Sequence, residues 1–232
     1  IHVALTNDAG NSASVEFDIS WDNSWRTDLA GAGSGAPFNY DAAWVFIKFS
    51  TDGGTTWQHG TLSSQAGDHG VLADNGLGLT ISPADDGAGV FLHRSENGSG
   101  SVDWEDVQLL WDYGADGLSS LTSSTIVNVF ATEMVYVPEG AFEAGDHGTS
   151  HSGFQQGSSD TDPWEITNDG EIVVSNVSND GFYYVSAGHT GSTPEDDTGA
   201  SFTIPAAFPE GFGAFYIMKY EISQGQYADF LN

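Results

Sequence analysis

The chain has 232 residues, 39% of them hydrophobic and seven of them tryptophan, so it can bury a substantial core. Four lysines and arginines stand against 33 aspartates and glutamates, and the net charge of −29 repels nucleic acid and anionic lipid. No apolar run has the length of a membrane helix, so we expect neither nucleic-acid binding nor membrane insertion. Because the chain has no cysteine, disulfides, thiolate metal sites and thiol catalysis are excluded.

Short strands separated by turns fill the first part of the chain. Apolar and polar residues alternate over residues 15–21, which is the period of a half-buried strand. Residues 42–49 are more continuously apolar and predict a central strand. Together with the glycine- and aspartate-rich turns, this pattern predicts an antiparallel β-sandwich or jelly-roll-like domain over residues 1–132. The other predicted strands of this domain are residues 77–81, 89–93, 107–111 and 126–131.

A second group of strands predicts a second domain over residues 133–232. It begins with a strand at residues 134–137, followed after a short turn by a long insertion rich in glycine, serine and aspartate. Further predicted strands are a hairpin of residues 171–174 and 181–186, then residues 202–204 and 215–221.

The chain ends in a predicted helix. Ser223 is a suitable N-cap, and Gln226 stands at the reciprocal position of a capping box. Tyr227, Phe230 and Leu231 then share one face of the helix. A helix of two turns is marginal in water, so we expect a partner to cover this face, either a second copy or a C-terminal continuation of the chain.

Two segments carry a resemblance to a known family. The sequence MVYVPEGAF at residues 134–142, followed by FYIMKYEISQGQYADFLN at residues 215–232, resembles the opening of the formylglycine-generating enzyme/sulfatase-modifying factor domain. The resemblance covers residues 134–232 and only the amino-terminal part of that domain. It implies that the β-sandwich is followed by an incomplete C-type-lectin-like α+β domain, so the fold class is mainly β.

The resemblance carries no catalytic residue to this chain. In the enzymes of the family, a cysteine pair binds copper and oxidises a target cysteine, whereas this chain has no cysteine. Lys219, Tyr220, Glu221 and Tyr227 match the motif as framework residues of a strand–helix junction. We therefore expect no enzymatic activity unless a longer gene supplies the missing cysteines.

Residues 50–57 (STDGGTTW) fit the S-x-D-x-G-x-T-W pattern of an Asp-box. The aspartate and serine of such a motif hydrogen-bond the turn backbone, while the tryptophan packs beneath it. The motif occurs once, without the repeats of a propeller, so it predicts a hairpin turn that follows the strand at residues 42–49.

Aspartate-rich turns are candidates for calcium, which takes six to eight oxygen ligands. Asp112 and Asp116 flank a Tyr-Gly-Ala turn, and Asp103 and Asp106 surround Trp104. None of them has EF-hand spacing, so a solvated or Asx-turn loop is the alternative. Calcium is the candidate cofactor.

Tryptophans are the candidates for glycan binding, because exposed indole faces stack on sugars. Trp21 and Trp25 bracket a short polar segment, and Trp104 lies among aspartates. The alternative is that most tryptophans belong to the core.

We expect a non-catalytic structural protein, secreted or on a bacterial cell surface, that self-associates as a surface-layer, adhesin or filament subunit. A free N-terminal strand with Ile1, Val3 and Leu5 would pair with the sheet edge of a neighbour. The terminal helix would supply the second contact. The alternatives are a carbohydrate-binding module and a fragment of a formylglycine-generating-type oxidase whose catalytic half is absent.

Overall fold

The computed structural model describes residues 3–7, 10–29, 37–145, 154–156, 163–175, 182–184 and 201–231. These residues are mainly β, as the sequence predicts, and no helix among them is long and apolar enough to cross a membrane. The elements are β1 (Val3–Asn7), β2 (Ala13–Asp28), β3 (Phe38–Ser50), β4 (Gln58–Gly60), a 3-10 helix (Ala66–Asp68), β5 (Gly70–Ala73), β6 (Leu79–Pro83), β7 (Val90–Arg94), β8 (Gly98–Trp111), β9 (Ile126–Val137), β10 (Phe142–Ala144), β11 (Phe154–Gln156), β12 (Trp164–Ile166), β13 (Ile172–Ser175), β14 (Phe182–Tyr184), β15 (Phe202–Ile204), β16 (Phe215–Met218) and α1 (Gln224–Leu231).

The described residues form two compact units. The first unit takes the residues up to Val137 and those from Tyr216 onward, and the second takes Pro138 to Phe215. The boundary predicted between residues 132 and 133 therefore falls inside β9. This strand is continuous because it pairs with β3 on both sides of that point, from Ser50 opposite Ile126 to Tyr40 opposite Tyr136.

The first unit is built on a ten-stranded sheet whose main path runs β16-β9-β3-β2-β8-β5. One edge of β3 pairs with β9, and its other edge pairs in turn with the end of β2, with β7 and with β4. The long strand β2 pairs with β8 over most of its length and with β3 only at its end. Strands β1 and β6 complete the sheet beside β2 and β7.

The core of the first unit follows from the alternation of side chains along its strands. Val45, Ile47 and Phe49 on one face of β3 are buried, while Phe46 and Lys48 between them are only half-buried. The apolar residues of β2 and β8 close over them, and Phe49 packs on Trp111 at 5.0 Å between ring centroids. The sequence pattern therefore predicted this sandwich-like packing correctly.

The expectation of a free N-terminal strand is wrong for β1. Strand β1 pairs antiparallel with β2, which places Val3 opposite Phe17 and Leu5 opposite Val15. The apolar residues of β2 thus offer a partner within the same chain. Ile1 and the side chains of Val3, Phe230 and Leu231 lie outside the described part of the structure.

The second unit contains a two-stranded sheet, β10-β12, and a four-stranded sheet, β11-β14-β13-β15. Its core consists of Trp164, Ile166, Ile172 and Val174. The predicted hairpin of residues 171–174 and 181–186 is wrong, because β13 and β14 run parallel and β15 is the antiparallel partner of β13.

Candidate functional site

A buried carboxylate lies at one end of β3. Asp41 shares a face with the core residues Ala43 and Val45, and its exposed fraction is 0%. Its Oδ1 accepts hydrogen bonds from Ser24 Oγ and from the backbone N–H of Trp25, both at 2.8 Å. Its Oδ2 accepts from Trp21 Nε1 at 2.8 Å. An ionised group removed from water in this way needs such donors, because an unpaired buried charge is very costly.

An irregularity in β2 brings these donors together. The register between β2 and β8 shifts between Trp21 and Ser24, and Asn23 has a positive φ of 57°. Asparagine tolerates this conformation better than most residues. The bulge turns the Trp21 indole, the Ser24 hydroxyl and the Trp25 N–H toward one point, which is where Asp41 lies.

Lys219 supplies the positive charge beside Asp41. Its Nζ lies 2.9 Å from Asp41 Oδ2 and 2.9 Å from Glu133 Oε2, and it also donates to the Asn23 carbonyl at 3.1 Å. Only 6% of the Lys219 side chain is exposed, against 32% for Glu133. Burial lowers the pKa of Lys219, but the hydrogen bonds to Asp41 and Glu133 outweigh it, so the pKa lies above its usual value.

Arg94 extends the buried polar network. Its Nε donates to Ser24 Oγ at 3.1 Å, and its Nη2 donates to the carbonyls of Gly100 and Ser101. Ser24 therefore accepts from Arg94 while it donates to Asp41. Lys219 therefore contacts the Asp41 carboxylate directly, whereas Arg94 is linked to it through Ser24 Oγ.

From the sequence, Lys219 is expected to be a framework residue of a strand–helix junction, and neither Asp41 nor Glu133 is marked out. One signal was available for Asp41, since an acidic residue immediately before the apolar run of residues 42–49 falls on the buried face of that strand. A basic side chain balances the charge of such a residue, and the chain has only four lysines and arginines.

The three tryptophans predicted to bind glycans differ in their surroundings. Trp104 is fully buried and packs edge-on against Trp21 at 5.1 Å, so the prediction that it stacks on a sugar is wrong. Trp21 and Trp25 are half-buried, and their indole N–H groups donate to Asp41 and Asn39.

Aromatic residues also line the other face of β3, but they stack on one another. Phe46 lies parallel to Phe130 with an interplanar angle of 12°, and Phe91 lies parallel to Tyr216 at 3.6 Å. Each of these rings has one face against a neighbouring ring, while Phe130 remains 40% exposed. Phe46 and Phe130 stand opposite each other on β3 and β9, so they form a cross-strand aromatic pair of the kind that stabilises a sheet.

Two of the aspartates predicted to bind calcium, Asp112 and Asp116, accept hydrogen bonds from the backbone or from neighbouring side chains. Asp116 accepts from Trp111 Nε1 at 2.6 Å and from both the N–H and the hydroxyl of Thr61. Asp112 accepts from the Ala115 N–H within its turn, while the backbone of Asp106 donates to Asp18. Asp103 is exposed on β8. Among the described residues, no three acidic or histidine side chains are placed to hold a metal ion.

The Asp-box has the geometry that its sequence predicts. Asp52 Oδ1 accepts from the N–H groups of Thr55 and Thr56, and Ser50 Oγ accepts from the Gly54 N–H. These bonds close the turn between β3 and β4, which pair antiparallel. The motif is a structural turn.

An exposed apolar strip runs along β16 and into the segment that follows. We call Ile217, Met218, Tyr220, Ile222 and Tyr227 the association patch, and between 41% and 58% of each is exposed. A groove of about 560 Å³ lies along the patch, and Glu133 forms part of its wall. Strand β16 stands at one end of the sheet path, so among the described strands only β9 pairs with it.

The chain matches no family model, no curated protein and no solved structure. The resemblance to the sulfatase-modifying factor domain, and the C-type-lectin-like fold that it implies, therefore rest on the two motifs alone and stay predictions.

Proposed function

We propose that this chain is a non-catalytic structural protein, secreted or on a cell surface, whose copies associate through the association patch. The observation that carries the proposal is the exposure of five large apolar side chains on and beside an edge strand. Edge strands are usually blunted by charges or proline, because their free N–H and C=O groups pair readily with other chains. The four residues of β16, Phe-Tyr-Ile-Met, include neither.

The occupant that we propose for the patch is the same patch of a second copy. A two-fold contact of this kind brings each strand β16 alongside its equivalent, so that main-chain hydrogen bonds extend the sheet across the interface. The net charge of the molecule favours a contact between copies at β16. Two chains of net charge −29 repel each other, and the four residues of β16 add no acidic side chain to the contact, whereas Glu133 and Glu221 line the adjoining groove.

The polar centre of the first unit supports a structural role. Asp41 and His93, two of its titratable groups, are already engaged by the protein. Asp41 is held by its donors, and His93 stacks on Tyr40 while its ring nitrogens contact Ser82 Oγ and the Arg94 carbonyl. Burial lowers the pKa of His93, which keeps its imidazole neutral near pH 7.

Sedimentation velocity of the whole chain over a range of concentrations tests the proposal. We expect the wild type to associate reversibly and the Ile217→Lys variant to stay monomeric, because a charge in the centre of β16 opposes its equivalent across the two-fold axis. Leu29→Lys is the matched control, since Leu29 is 56% exposed and lies outside the patch.

Two results would overturn the proposal. The first is a wild type that remains monomeric at high concentration. The second is loss of association in Leu72→Lys, a variant of the opposite edge strand β5, because a contact between unlike edges would then replace the two-fold contact.

A further inference from the structure

We propose that Lys219 and Asp41 condense to form an isopeptide bond between their side chains, with Glu133 carrying the protons. The bond would join the strand β3 to the residue that follows β16 within the first unit. No other molecule is needed, because both reactants and the proton carrier belong to this chain.

The reacting groups are in contact and shielded from solvent. Lys219 Nζ lies 2.9 Å from Asp41 Oδ2, and the two side chains are 6% and 0% exposed. Groups held in this way react as though present at very high concentration, since effective molarities of well-oriented intramolecular reactions reach about 10⁵–10⁸ M. The exclusion of water from Asp41 also protects the amide from hydrolysis after it has formed.

The two oxygens of Asp41 are distinguished by their partners. When the amine attacks Cγ, negative charge develops on one oxygen of the tetrahedral intermediate. Oδ1 is suited to take it, because Ser24 Oγ and the Trp25 N–H already donate to it, both at 2.8 Å. Such a pair of fixed donors is the arrangement that stabilises an oxyanion. Oδ2 is the oxygen that faces both the Trp21 N–H and Lys219.

The protons and the leaving group balance without an external acid or base. The Nζ–Cγ bond forms and the Cγ–Oδ2 bond breaks. The ammonium group of Lys219 gives up two of its three protons, which Glu133 Oε2, 2.9 Å from Nζ, accepts in turn and passes to Oδ2. Oδ2 then leaves as water. An ammonium and a carboxylate are converted to one amide and one water molecule, and Glu133 returns to its starting state.

The present ion pair is the precursor of this reaction. Its two charges are buried, and a buried ion pair carries a desolvation cost that its attraction only partly offsets. Amide formation removes both charges and leaves a carbonyl oxygen, Oδ1, whose two donors are already in place. The Asn23 carbonyl, now 3.1 Å from Nζ, can accept from the amide N–H. The surrounding polar groups therefore suit the product as well as the ion pair.

The bond would change how the chain bears force. Asp41 and Lys219 are 178 positions apart, so the cross-link closes a loop that contains β9 and the whole second unit. Tension applied outside this loop would pass through the amide and bypass everything within the loop.

Mass spectrometry of the whole purified protein in denaturing solvent tests the proposal. We expect the wild-type mass to lie below the sequence mass by one water molecule, and proteolysis to yield one peptide pair joined through Lys219 and Asp41. Lys219→Arg retains the positive charge without a primary amine, so it should show the full sequence mass. Glu133→Gln retains a polar group of the same shape without a carboxylate to accept a proton, and it should also show the full mass.

Each alternative result overturns a defined part of the proposal. A wild type at its full sequence mass excludes the bond, whatever the variants do. Loss of water that persists in Lys219→Arg assigns the dehydration to another site. Loss of water that persists in Glu133→Gln, with the joined peptides present, removes Glu133 from the reaction.

Discussion

At the scale of single residues, aspartates determine much of the local geometry of this acidic chain. Asp116 joins the turn after β8 to the segment after β4 by accepting from Trp111 Nε1 and from Thr61. Trp111 is fully buried, so its indole N–H needs this acceptor. The carboxylate thus has a structural role, because it links two segments by hydrogen bonds.

Replacement of Asp116 by alanine should lower the free energy of unfolding by about 1–3 kcal/mol, because the buried Trp111 N–H loses its acceptor. Urea denaturation followed by tryptophan fluorescence measures the change. Asp112→Ala is the control, since its exposed carboxylate serves its own turn and surface substitutions usually change stability by about 0.5 kcal/mol or less. Equal losses in the two variants would contradict the assigned role.

Asp52 provides a second test at this scale. Hydrogen bonds from Thr56 and Ser50 lower the pKa of the Asp52 carboxyl group from 3.8 to about 2. Because the folded pKa is depressed, the turn contributes stability above the unfolded pKa and loses it as pH falls through about 2. A carbon-13 NMR titration of the carboxyl group should therefore show a midpoint near 2 and a higher midpoint in Ser50→Ala. A wild-type midpoint near 3.8 would refute this.

At the scale of elements, β3 organises the first unit because both of its edges and both of its faces are occupied. Along its edges, β9 covers one side, while β2, β7 and β4 share the other. One face contributes the core residues Val45, Ile47 and Phe49, and the other carries stacked aromatic residues. A strand in this position tolerates little change.

The two isoleucines at positions 47 and 126 make this testable. Ile47→Ala on the core face of β3 should cost about 2–5 kcal/mol in the free energy of unfolding, because it removes buried methyl groups and leaves a cavity. Ile126→Ala, at the exposed start of β9, should cost less than about 1 kcal/mol. Chemical denaturation of both variants provides the comparison. A cost at position 126 as large as that at position 47 would show that β9 is covered where the structure leaves it exposed.

At the scale of the whole molecule, charge and apolar surface oppose each other. The net charge of −29 keeps copies apart, while the association patch favours contact between them. Repulsion between surface charges acts over the Debye length, which shrinks from about 10 Å at 0.1 M salt to about 3 Å at 1 M. Apolar contact is not weakened in this way.

Self-association should therefore strengthen as sodium chloride is raised from about 0.1 M to about 1 M, where charge screening is nearly complete. Light scattering at fixed protein concentration should record an average mass that rises with salt for the wild type and stays constant for Ile217→Lys. Dissociation by salt would instead indicate that opposite charges hold the copies together, and it would contradict the proposed contact.

Local sequence patterns were enough to predict those features of the structure that depend on residues close together in the sequence. The apolar run at residues 42–49 lies within β3, and the Asp-box closes the turn that follows it. The helix predicted after Ser223 begins at Gln224. The first two features are decided within a few residues, by side-chain alternation and by turn hydrogen bonds.

Features that join distant segments could not be predicted in this way. The parallel pairing of β13 with β14 depends on which strand takes the other edge of β13. The complete burial of Trp104 depends on which face of β8 meets the core. Composition and spacing indicate that β13 and β14 are strands. They do not specify which strands pair or which side chains surround Trp104.

The sequence alone therefore determined the mainly β class, the core strand and the exclusion of thiol chemistry, because these depend on residue type and local period. Only the tertiary structure decided that Lys219, predicted as part of a strand–helix junction, is the partner of Asp41 and Glu133. The physical reason is sequence separation. A contact across 178 positions is selected by the packing of the whole unit, and no local pattern records it.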